Sequence, residues 1–163
     1  MEPKKSRVLV IGLGNPNLGD DGVGWRVAEE VRRQLPPGLP VDLDCLSLGG
    51  IGLMEHFIGH EYVILIDAFP LEEPIGSILI LKLSDLPNYS AFYTTSAHDT
   101  SLQDAIELGK SMGAQLPDDV TVVGIAIKHV HVFSESLSPL VAQAVPQAAK
   151  FVLDFLGKKL QIV

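Results

Sequence analysis

The chain has 163 residues, enough for one domain (1–163) with a full core; 47% of them are apolar and mean hydropathy is +0.29, which excludes an intrinsically disordered chain. A net charge of −8 argues against a nucleic acid as the main partner, because phosphate contacts need a basic surface. No apolar run is long enough to cross a bilayer, and with Cys45 as the only cysteine an internal disulfide is excluded.

The N-terminus, Met1 to Arg7, is basic but lacks an apolar signal core with a small-residue cleavage site, so a cytoplasmic location is expected. Arg7 to Gly12 is an apolar, β-branched run that stops at glycine, the pattern of a strand buried on both faces. A glycine-rich turn follows, then Asp20-Asp21, then a helix whose stripe is Val23, Val27, Val31 and Leu35 and whose end is Pro36-Pro37-Gly38. Asp20 is the natural N-cap. Gly22 and Gly24 each cost about 1 kcal/mol relative to alanine in a helix interior, so something there is expected to need the backbone close.

Val41 to Leu48 alternates and reads as a second strand, and Leu53 to Ile58 as a short helix. Tyr62 to Ile66 is a fully apolar third strand that delivers Asp67 at its end. Ser77 to Leu83 is a fourth strand, reached without a helix and therefore a candidate for antiparallel pairing. Ser84 to Thr100 shows no clear period, the mark of a functional or mobile loop; it carries Tyr89, Phe92, Tyr93 and Ser96-Ala97-His98-Asp99. Thr100 and Gln103 have capping-box spacing, and Leu102, Ala105, Ile106 and Met112 suggest a helix ending at Gly113. Val120 to Ile127 is a fifth strand. Ser138-Pro139 opens a last helix that runs to about Lys159 with a kink at Pro146. The expected fold class is α/β, a three-layer α/β/α sandwich with a five-stranded, mostly parallel sheet.

Three places carry candidate chemistry: Asp20-Asp21, Asp67 and His98. In the common doubly wound order, strands one and three are neighbours at the switch point, so Asp21 and Asp67 would share one crevice and His98 could close over it. Two carboxylates and an imidazole would suit zinc or nickel. Each residue also has a plainer reading: Asp20 as a cap, Asp21 as a charge at a helix N-terminus, His98 as an ordinary loop histidine. Asp67 resists one, because a carboxylate ending an apolar strand needs a partner. His56 and His60 read as surface residues, His129 and His131 as edge residues, and Cys45 as a small core residue without an activating base. Ser96 and His98 are too close in sequence to argue a serine triad. The dinucleotide fingerprint fails at Asn17, and no Walker loop occurs.

Gly12-Leu13-Gly14-Asn15 followed by Asp20-Asp21-Gly22-Val23-Gly24, with Asp67, the His98 stretch, Val122-Val123-Gly124-Ile125 and Leu137-Ser138-Pro139, resembles the hydrogenase maturation proteases over nearly the whole chain. The resemblance implies an endopeptidase that removes a C-terminal extension from a nickel-iron hydrogenase large subunit precursor after nickel insertion. It also implies a metal-contacting set of Asp21, Asp67 and His98 and a role for them in catalysis. Nickel would be carried by the precursor and not held permanently, and the enzyme would act as a monomer, without nucleic acid or membrane insertion. The first acid is often glutamate in relatives, and Ile127-Lys128-His129 departs from the acidic or proline-containing stretch common there. Two alternatives remain. Gly-Leu-Gly-Asn-Pro also opens the peptidyl-tRNA hydrolases, although the motif that follows is missing. A non-catalytic nucleotide-binding α/β module would share the fold alone.

Overall fold

The computed structural model describes residues 7–87, 100–128 and 132–161. The apolar run after Arg7 forms β1 (Val8–Leu13), and every residue in it is buried. It pairs in parallel with β2 (Val41–Leu46) on one side and β3 (Tyr62–Pro70) on the other. β5 (Val120–Ile127) pairs in parallel with β3, and β4 (Ile78–Lys82) closes the far edge antiparallel to β5, as its helix-free connection predicts. The sheet has five strands in the order β2-β1-β3-β5-β4. The chain leaves β1 toward β2 and returns to place β3 on its other side, so the switch point lies between β1 and β3.

Alternation along the strands divides the core into two apolar layers. Val8, Val10, Ile64 and Ile66 face α1 (Val23–Gln34) and α4 (Pro139–Leu160). Leu9, Ile11, Val63 and Leu65 face α2 (Gly50–Phe57) and α3 (Leu102–Ser111). The three-layer α/β/α reading and the Val23, Val27 and Val31 stripe of α1 are both observed. The glycines of the first motif have a packing reason. A Cβ at Gly24 would strike the backbone oxygens of Leu13 and Ile66, and one at Gly12 would lie 2.8 Å from the Ala28 Cβ and against the Gly24 oxygen. Helix α1 therefore rests directly on the backbones of β1 and β3.

Several local expectations are corrected. β3 does not end at Ile66: it continues through Asp67 to Pro70, because β5 goes on pairing after β1 has stopped at the Gly12–Ile66 pair. β2 ends at Leu46, short of Leu48. The cap of α3 is Ser101, whose Oγ accepts from Asp104 N at 3.1 Å; Thr100 does not cap it, and Gln103 instead donates to the Leu86 oxygen at 2.9 Å. Gly109 takes the buried position on α3, while Met112 is exposed. His60 is buried, not on the surface, and its Nε2 pairs with the Asp42 carboxylate on the edge strand at 3.0 Å.

Asp20 caps a different helix from the one expected. A 3-10 turn, Gly19–Gly22, precedes α1, whose N-cap is Gly22. The Asp20 carboxylate reaches across to the start of α4, accepting from Ser138 N at 2.6 Å and from Ser138 Oγ at 2.8 Å. Its negative charge also complements the N-terminal end of α4. The Ser138-Pro139 opening of that helix is as expected, and Pro146 lies on its exposed side.

Two substitutions test this packing. Helix propensity favours Gly24→Ala by about 1 kcal/mol, but overpacking against two backbone oxygens costs about 1–3 kcal/mol or more. Against two fixed backbone oxygens the cost sits at the top of that range, so the net loss is about 2 kcal/mol and the thermal midpoint is expected to fall by about 4–8 °C, at about 2–4 °C per kcal/mol for a chain of this size; a midpoint equal to wild type would show that α1 is not seated this closely. In urea unfolding, Asp20→Ala is expected to cost about 2 kcal/mol and Ser138→Ala about 1, since the backbone bond survives the second change. Equal costs would contradict the two-bond link.

Candidate active site

The glycine-rich turn is held from within by short-range hydrogen bonds. Asn15 Oδ1 accepts from Asn17 N at 2.9 Å, Leu18 N donates to the Asn15 oxygen at 3.1 Å, and Asp21 N donates to the Leu18 oxygen at 3.2 Å. Asp21 Oδ2 then accepts from Asn15 N at 3.0 Å, closing the turn on itself. The neighbouring strand adds anchors: Gly14 N donates to the Leu46 oxygen at 3.1 Å, and Trp25 Nε1 donates to the same oxygen at 3.1 Å. Asp21 is thus fixed in a half-buried position by the loop that it stabilises.

Asp67 is 0% exposed, the most buried charged residue described. Its Oδ1 accepts from Ala68 N at 2.8 Å. In the β5 ladder it stands opposite Gly124, and the space a side chain there would fill holds the Phe69 ring. On the other flank the pairing of β3 with β1 has already stopped, at Gly12–Ile66. A carboxylate in such surroundings costs several kcal/mol unless other groups stabilise its charge.

The backbone that carries Asp21 is seated on the strand that carries Asp67. The 3-10 turn that bears Asp21 packs against β3. Gly24, nearly one helical turn after Asp21, rests on the oxygen of Ile66, the residue before Asp67. Both acids therefore lie at the C-terminal edge of the parallel strands, beside the switch point, where open α/β sheets place their ligands. His98 lies outside the described residues, as do Tyr89, Phe92, Tyr93, Ser96, His129 and His131. Among the described residues no three His, Cys, Asp or Glu side chains form a group that could hold a metal ion.

The remaining candidates separate from this edge. His60 pairs with Asp42 at the opposite end of the sheet, and five residues of β3 between Tyr62 and Asp67 span about 17 Å. Cys45 is half-buried on β2, and burial pushes its thiol above the ordinary range, the reverse of what a nucleophile needs. The link from Asp20 to Ser138 is the feature that sequence reading misses. Ser138-Pro139 signals a helix start, but nothing local names a partner 118 residues away.

A family model described as HycI, hydrogenase maturation protease, matches residues 25–155. The chain is 27% identical over 154 residues to the hydrogenase expression/formation protein HoxM of Azotobacter vinelandii, covering 93% of this chain and 73% of that protein. Among solved structures it is similar to the hydrogenase maturating endopeptidase HybD from E. coli, with 26% identity, a TM-score of 0.70 and coverage of 94% of this chain and 93% of that one. It is also similar to a hydrogenase 2 maturation peptidase from a Thaumarchaeota archaeon, with 32% identity, a TM-score of 0.65 and coverage of 93% and 98%. The peptidyl-tRNA hydrolase and nucleotide-module alternatives gain no support from these relatives. The family model spans most of the chain, and the fold is shared almost end to end with two maturation peptidases: the chain belongs to the hydrogenase maturation protease family.

Proposed function

We propose that this peptidase removes the C-terminal extension of a nickel-iron hydrogenase large subunit precursor once nickel is in place, and that Asp21, Asp67 and His98 contact the nickel carried by that substrate. The observation that carries the reading is the fully buried Asp67 on the part of β3 that outruns β1, beside the turn that holds Asp21. Two hard oxygen donors and one imidazole match a borderline divalent cation.

In this reading Asp21 and Asp67 bring negative charge to a rigid floor and His98 supplies a neutral nitrogen. Nickel docked there positions the scissile bond, and it can polarise the carbonyl or acidify a water. One of the carboxylates can instead serve as general base, with the metal acting as the tag that admits only loaded precursor. The protein would do this as a monomer in the cytoplasm; among the described residues no helix is long and apolar enough to cross a membrane.

Two experiments test the reading. Asp67→Asn, Asp21→Asn and His98→Ala are each expected to slow cleavage of nickel-loaded precursor by about 10²-fold or more while the variants remain folded by circular dichroism. Full activity in a folded variant would remove that residue from the site. Because burial holds the Cys45 thiol protonated at neutral pH, Cys45→Ala is expected to cut at the wild-type rate, and iodoacetamide at pH 7 to leave the rate unchanged. Loss of activity in both would make the thiol the nucleophile.

A further inference from the structure

The glycine-rich turn is sewn to residues 132–138. Gly19 N donates to the Ser134 oxygen at 2.7 Å, Ser134 N donates to the Asn17 oxygen at 2.9 Å, and Asp20 holds Ser138. Beside this seam opens a groove of about 450 Å³ whose lining includes Ile75, Val132, Leu137 and Lys128. Its far wall is also fixed: Gly76 N donates to the Ala126 oxygen at 2.8 Å, and a Cβ at Gly76 would lie 2.6 Å from the Leu140 oxygen. The groove therefore keeps its shape without a ligand. It reaches Gly19 and Asp20, one residue from Asp21.

Its surroundings are unusually apolar for an exposed surface. Val132 is 54% exposed, Leu140 55% and Phe133 90%. Exposed apolar side chains gathered beside a groove are a feature of interaction sites. Charge narrows the occupant. Lys128 is exposed and makes no ion pair among the described residues, in a chain of net charge −8. The carboxylate in the lining, Asp20, is engaged by Ser138. An apolar channel with one unpaired cation fits an apolar segment that carries a carboxylate. The volume suits a few side chains of an extended strand and not a folded domain.

We propose that this groove seats an extended piece of the precursor's C-terminal extension, with apolar side chains against Val132, Leu137 and Ile75 and a carboxylate against Lys128. The inference rests on the proteolytic reading above and adds where the removed segment lies. A segment bound there is aligned with the Asp21 turn, because groove wall and turn share the same hydrogen bonds.

The test is steady-state cleavage of nickel-loaded precursor by wild type and by a Val132→Asp, Lys128→Glu double variant. Both positions are exposed, and neither belongs to the proposed metal-contacting set. KM is expected to rise about 10-fold or more, as repulsive contacts at a binding groove do, with kcat within twofold. Precursor lacking the extension, added as a competing inhibitor, is expected to bind wild type and variant alike. An unchanged KM, or equal weakening for both precursor forms, overturns the groove as the seat of the extension while the proteolytic reading stands. A wild-type chain that cuts no precursor overturns the proteolytic reading and this inference together.

Discussion

The fold turns on a contact between two backbones. Helix α1 lies so close to β1 and β3 that Gly24 meets the carbonyl oxygens of Leu13 and Ile66, and Gly12 meets Gly24 and Ala28. Only residues without a Cβ permit this approach. The turn that enters α1 is short and internally bonded, so lowering the helix onto the sheet also lowers Asp21 against β3. The seating of the Asp21 turn on the strand that carries Asp67 is thus a consequence of helix-to-sheet packing, before any metal or substrate is considered.

A second constraint acts from the far end of the chain. The same turn is held from the side by residues 132–138 and by the start of α4, through bonds to Asn17, Gly19 and Asp20. Adjacent acids thereby divide their work. Asp20 turns toward α4 and stabilises its first turn, whereas Asp21 turns back to Asn15 and stays with the loop over the switch point. A peptidase that must recognise one processed state of its substrate benefits from such rigidity, because the geometry of recognition is set in advance.

Much of this was legible in the sequence, for physical reasons that differ by element. The buried strands announce themselves because Val8 to Leu13 and Val120 to Ile127 are apolar on both faces, and the neighbouring positions of β1 and β3 follow from the usual doubly wound order. The extension of β3 through Asp67 was hidden, since Asp and Pro disfavour strands and only the pairing with β5 overrides that preference. His60 looked exposed because its partner, Asp42, is brought beside it only by sheet pairing. Ser101 displaced Thr100 as the cap of α3 by one position, within the usual uncertainty of helix boundaries. For the candidate site, the two acids are candidates from their places beyond the apolar runs of strands one and three. The partner of Asp20 could not be named, because contacts between distant residues leave no local pattern.

The bond between Asp20 and Ser138 has a consequence for the order of events during synthesis. Its two ends are separated by 118 positions, so the opening turn gains this anchor only after Ser138 has left the ribosome. A nascent chain can form β1, α1 and the internal bonds of the first loop early, yet that loop lacks its side anchor until residues 132–138 dock. The side wall of that loop is therefore completed late.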